Sequence, residues 1–346
     1  MKRWHIISLI LAFALLCSCE NDPFVDRDDC PIRFSAGVAV ETKALKPNDP
    51  TVLLKQGNQV SIFGTRVYND TPEDVFTNRT LTCDASPNPS TPSNPLSSVW
   101  SYTPLEYWKS NGDYYFSAVS PFNNELSIDK NSTSYELKVS YFAGSNTDLM
   151  VARNYRDAAS SKDPVNLTFK HTTAAVRFLF GKASASDADQ YQLTSFQLEN
   201  IVPSGSLTLY TKITTELTTI PSTDCFWTVP STYINPLFSW TADTPSDRKT
   251  IPHPSNASDP DGYIAMGWYY MVPQTLSSDA SVRFTVSYKN GTPFETVLNI
   301  HNVSTTWVPN HVYNYFITLN QSGIDLTVQA IPWTVVQVTT DDFNFE

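Results

Sequence analysis

Charge is scarce in this sequence, and the residues that carry most enzyme chemistry are scarcer. Asp, Glu, Lys and Arg make up 16% of 346 residues, and five histidines occur. His5 lies in an N-terminal apolar stretch, while His171, His253, His301 and His311 are scattered. No His-Glu-x-x-His, no Gly-x-Ser-x-Gly and no phosphate-binding glycine loop is present, so no catalytic constellation is signalled. Cysteine is limited to five, with no Cys-x-x-Cys, which argues against zinc. Asn256-Ala-Ser-Asp-Pro-Asp-Gly262 has some acidic ligands but no downstream Glu at calcium-loop spacing, and Pro260 interrupts it. It reads as a solvated turn. Neither a metal nor a cofactor is expected. Helical periodicity is also lacking: few windows repeat apolar residues at 3.6.

What is present is aromatic and β-branched. Phe, Trp and Tyr make 13% of the chain, with 24 prolines and many Ser, Thr and Asn. That mixture favours strands joined by polar turns, and it can bury a core. The length allows two ordinary domains. The net charge is −11. Removing residues 1–18 takes away Lys2 and Arg3, leaving 21 basic against 34 acidic residues, or −13. Such a surface repels phosphate, so nucleic acid is not an expected partner.

Lys2-Arg3 and the apolar run from Ile6 to Leu16 read as a secretory signal peptide, too short for the ~20 residues that span a bilayer. Leu16-Cys17-Ser18-Cys19 resembles a bacterial lipobox, which makes Cys19 the lipidated first residue of the mature chain and ties it firmly to a membrane. Residues 20–29 form an acidic tether. Cys30, Cys83 and Cys225 remain, enough for at most one disulfide and one thiol in a monomer.

Strand patterns follow. Ile32, Phe34, Ala36, Val38 and Val40 alternate with smaller or polar residues, and Arg33, Lys43 and Lys46 are basic positions in or just after that strand. Residues 84–98 carry four prolines and read as a loop. At the centre, Val165, Leu167 and Phe169 alternate, then Ala174, Val176, Phe178 and Phe180 do so one residue out of phase. A slip of one reverses every side chain, so His171-Thr172-Thr173 must hold a bulge or corner. His171 is expected to pack or bond locally. Residues 181–190 are small and polar and mark the expected domain break. The Asn290-Gly291 pair predicts a hairpin over 282–294. Ile264, Met266, Trp268 and Tyr270 share one face at strand spacing, which makes them core, although exposed aromatics there would also suit sugar stacking. Ile324, Leu326, Val328 and Ala330 form the last regular strand, before Pro332-Trp333.

Several segments taken together resemble the fimbrillin family, the subunits of type V pili in Bacteroidota. They are Gly57-Asn-Gln-Val-Ser-Ile-Phe-Gly-Thr65, the Trp100, Tyr107 and Trp108 cluster with Tyr114-Tyr-Phe-Ser-Ala-Val-Ser-Pro121, and Asp148-Leu-Met-Val-Ala152. Phe169-Lys-His-Thr-Thr-Ala-Ala-Val176, Met271-Val-Pro-Gln274 and the ending around Trp307, Tyr313, Tyr315 and Trp333 complete the set. The resemblance implies an all-β chain: two tandem transthyretin-like β-sandwich domains, 30–182 and 190–346, behind the signal peptide 1–18 and the tether 19–29. It also implies a non-enzymatic fimbrial subunit displayed at the outer membrane, with other fimbrial subunits as partners. A protease would release the strand 32–40 by cutting at Arg33, Lys43 or Lys46, and a strand from another subunit would replace it. Residues 324–338 would supply that donor, or 324–330 would be an edge strand of its own domain. The alternative is a non-polymerising surface lipoprotein that binds glycan.

Overall fold

The computed structural model describes residues 30–38, 56–84, 98–130, 135–157, 163–186, 190–211, 225–288, 291–320 and 323–333. The signal peptide, Cys19, the tether, Lys43, Lys46 and residues 334–346 lie outside these. No described helix is long and apolar enough to cross a membrane.

The chain is all-β, as expected, with strands β1 to β23 and a few single 3-10 turns. The first nine strands are β1 (Phe34–Val38), β2 (Gln59–Tyr68), β3 (Thr71–Cys83), β4 (Ser98–Ser101), β5 (Asp113–Ser120), β6 (Ile128–Lys130), β7 (Tyr135–Phe142), β8 (Met150–Asp157) and β9 (Val165–His171). Then come β10 (Ala174–Lys182), β11 (Tyr191–Glu199), β12 (Ser204–Thr211), β13 (Cys225–Thr228), β14 (Phe238–Thr241), β15 (Lys249–Thr250), β16 (Ile264–Ala265) and β17 (Tyr269–Met271). The last six are β18 (Gln274–Thr275), β19 (Ser281–Tyr288), β20 (Phe294–Asn299), β21 (Thr306–Trp307), β22 (His311–Asn320) and β23 (Gly323–Pro332).

Seven strands close into a barrel in the order β1-β4-β3-β2-β5-β8-β9. Its interior is filled by alternate residues: Val60 and Ile62 from β2, Tyr114, Phe116 and Ala118 from β5, and Val165, Leu167 and Phe169 from β9. The other strands form the sheets β16-β10-β22-β23, β14-β11-β19-β20 and β13-β12-β7-β6, with a small β18-β21 ribbon. These sheets share a larger core that includes Phe178, Phe196, Phe284 and Tyr315. Phe63, Val119 and Val151, on β2, β5 and β8, belong to that larger core. The barrel wall is therefore buried on both faces there, which is why β5 reads as an apolar run rather than an alternation.

The phase slip falls where the chain changes sheets. His171 ends β9 opposite Met150, and Ala174 opens β10 opposite Met271 and His311. Strand pairing changes at 171–174, ahead of residues 181–190. β10 pairs in parallel with β22, and β7 pairs with β12, so segments from before residue 182 build the second core. Alternation specifies which face of a strand is buried but not which strand lies beside it. The hairpin is present as β19 and β20; Asn290 itself lies outside the described residues.

Candidate functional site

β1 is inserted between β4 and β9. It runs antiparallel to β4, with Phe34 opposite Trp100, and parallel to β9 from the Phe34–Val165 pair to the Val38–Phe169 pair. Its alternation buries Ile32, Phe34 and Ala36 and leaves Arg33 exposed. Phe34 meets Phe76, Tyr102 and Phe116 edge-on at 5.5, 5.8 and 5.5 Å. Burying side chains of this size stabilises by about 1.5–3 kcal/mol each. Without β1, the β4 and β9 edges would lose their ladders and the barrel would be open.

The approach to the strand is also pinned. Ile32 N–H donates to the Glu106 carbonyl (2.8 Å), Trp108 N–H donates to the Cys30 carbonyl (3.0 Å), and Val165 N–H donates to the Arg33 carbonyl (2.7 Å). The Tyr102 hydroxyl donates to the Ile32 carbonyl at 2.7 Å, and Glu106 N–H donates to the same hydroxyl at 3.3 Å. Burial pushes the Tyr102 phenol up to about 12, against the pull of its bond to the Glu106 backbone. Arg79 braces the 104–106 segment by donating to the Pro104 carbonyl (2.9 Å) and the Glu106 carboxylate (3.3 Å). Cys83 lies buried in the barrel core, Cys30 packs against that core, and Cys225 packs against the larger one. No disulfide joins the three.

At the other end of the chain, β23 is the edge strand of its sheet, antiparallel to β22 from Asn320–Gly323 to His311–Pro332. Ile324, Leu326 and Val328 are half-buried against the larger core, whereas Ala330 is exposed. Within the single chain this segment pairs with β22. Trp333 follows, buried, with its backbone N–H donating to the Asn310 carbonyl (2.6 Å) and its ring stacked on His171 at 3.6 Å. His171 Nδ1 lies 2.7 Å from Asp148 Oδ2, and Thr173 donates to the other Asp148 oxygen at 3.2 Å. This buried cluster ties the barrel corner to the end of β23.

The remaining sequence-predicted positions do not converge. His253, His301 and His311 each bond a backbone carbonyl. In the 256–262 loop, Asn256 and Asp259 side chains accept from backbone N–H groups two residues on, which makes a turn. No group of metal ligands occurs among the described residues. The aromatic face expected at 264–270 is split, because Gly267 adopts φ +98° between β16 and β17 and resets the alternation. Met266 and Tyr269 therefore turn to the core, while Trp268 lies under the Arg177 guanidinium (4.2 Å) and Tyr270 stacks near Trp333. All three rings are half-buried against these neighbours. Sequence reasoning missed the opposing walls of the β1 slot, Phe76 and Phe116, since nothing local ties them to residue 34.

The search of curated proteins returned no match. Among solved structures, a fimbrial protein of Bacteroides vulgatus superposes with a TM-score of 0.54 at 14% identity, covering 87% of this chain and 99% of that one. Two proteins assigned to cell adhesion, from Bacteroides ovatus and Bacteroides uniformis, give TM-scores of 0.53 and 0.52 at 11% and 15% identity. They cover 89% and 88% of this chain and 99% of each of theirs. At such identities the likeness is one of fold. The model of the fimbrillin-like family matches residues 42–333, and with that match across most of its length the chain belongs to the fimbrillin-like family.

Proposed function

We propose that this chain is a lipid-anchored fimbrial subunit whose β1 occupies a slot meant for a strand of a neighbouring subunit. Family membership supports the fimbrial and adhesive role and a surface location. The observation that carries the finer reading is the seating of β1: a short N-terminal strand completes the barrel and is joined to the rest by a connection that contains Lys43 and Lys46. Strand addition would satisfy the same backbone groups and fill the same apolar floor.

On this reading the candidate cut sites differ in what they release. Cleavage after Arg33 leaves Phe34 and Ala36 attached to β2, so β1 stays on the chain. Lys43 and Lys46 lie beyond β1, and cutting there severs it. On the donor side, β23 is committed to its own sheet through the whole β22 ladder and through Trp333. On this reading the donor would be the segment after Trp333, where Val336 and Val338 stand two positions apart in the sequence, the spacing that a strand face needs. Export with removal of residues 1–18 and lipidation of Cys19 would place the subunit at the outer membrane. No catalytic step is part of this reading.

Limited trypsin treatment of the mature protein tests it. Cutting at Lys43 or Lys46 should yield polymers on size exclusion, and deletion of residues 334–346 should abolish them while the melting temperature is kept. A cut protein that stays monomeric at every concentration refutes strand exchange.

A further inference from the structure

A cleft of about 490 Å³ opens among the sheets of the larger core, and none of its lining residues belongs to the barrel. Its size falls within the range of about 300–1,000 Å³ found for small-molecule sites. We infer that it binds a neutral saccharide of one to a few rings, independently of any strand exchange.

The floor is fixed and already satisfied. Gln274 is buried, and its amide accepts from Val202 N–H and donates to the Val202 and Val272 carbonyls, each at 3.0 Å. Trp307 is buried, and its indole N–H donates to the Tyr315 hydroxyl at 2.9 Å. Preorganised side chains of this kind lose little freedom when a ligand arrives.

The rim is different. Tyr233 is 45% exposed and Val308 36% exposed, leaving apolar surface uncovered beside the exposed Ser231, Thr275 and Thr306. No described residue bonds the hydroxyls of these three side chains, so they are available to a ligand. A flat aromatic wall with hydroxyl groups beside it suits a molecule with one C–H face and hydroxyl edges, since tyrosine offers an apolar face and a polar tip.

Charge decides the class of sugar. No Asp, Glu, Lys, Arg or His lines the cleft, and the whole chain carries −11. An acidic glycan would meet no cation and a repulsive field. A peptide laid down as an added strand is disfavoured, because β18 and β21 are two residues each and offer almost no ladder.

Saturation-transfer NMR on the mature protein tests this with lactose, maltose and diacetylchitobiose as neutral probes and sialyllactose as the acidic one. At about 10 mM a site with Kd near 1 mM is mostly filled. At least one neutral disaccharide should give a signal that sialyllactose does not. Tyr233→Ala should weaken binding at least tenfold with an unchanged melting temperature, since the side chain is exposed, and Thr306→Val should weaken it without changing side-chain size. No signal from any neutral probe, equal binding of sialyllactose, or full binding by both variants would overturn the assignment.

Discussion

Phe34→Ala removes the largest side chain that β1 places in the barrel. Phe34 is 3% exposed and touches three other rings, so little can collapse into the space it leaves. A buried Phe→Ala change costs about 3–5 kcal/mol. Cys83 lies in the same core at 1% exposure, and its alkylation reports how often the barrel opens. At tenfold per about 1.4 kcal/mol, Cys83 should react about a hundredfold to a few thousandfold faster in the variant. Peptide mass mapping separates Cys83 from Cys30 and Cys225. Arg33→Ala is the control one residue away, on the exposed side of the strand, and its effect should stay within about 0.5 kcal/mol, or roughly threefold in rate. If Phe34→Ala also stays within threefold, β1 does not hold the barrel shut and the slot has been misassigned.

Three further outcomes are expected. Asp148→Ala leaves His171 buried without its partner, which costs about 3 kcal/mol; an unchanged urea midpoint would show that the corner cluster contributes nothing. The raised Tyr102 phenol means that the folded state holds its proton more tightly than the unfolded chain. Its contribution is complete below the ordinary tyrosine value near 10 and is lost as pH rises from there toward about 12, so Tyr102→Phe should flatten that part of the urea midpoint's alkaline decline, and an unaltered decline would count against the burial of that phenol. Cys19→Ala should abolish incorporation of labelled palmitate and release the protein from membranes; retained label would remove the anchor from the account.

Much of the fold was legible because strands advertise their faces. The alternation at Ile32, Phe34 and Ala36 marked β1, the half-buried set at Ile324, Leu326 and Val328 marked β23, and the slip at His171-Thr172-Thr173 marked the passage from barrel to sheet. Partners were not legible. The parallel contact of β1 with β9 spans more than 120 positions, and β10 looks like a continuation of β9 until its pairing with β22 is seen. Gly267 hid a change of phase inside an apparently uniform aromatic strand. The cleft joins residues near 202, 230, 274 and 307, and no local pattern announces such a meeting. His171 bonds Asp148, a neighbour in space that lies 23 positions away in the sequence.

Exchange at the β1 slot is the central claim, and native mass spectrometry of the trypsin-cut protein tests it most directly. The cut protein is incubated with excess synthetic peptide covering residues 334–346. The account predicts loss of the N-terminal fragment that carries β1 and gain of one peptide mass, with no gain from a peptide in which Val336 and Val338 are replaced by Asp. Retention of the N-terminal fragment after cutting, with no peptide bound at any concentration, would contradict it.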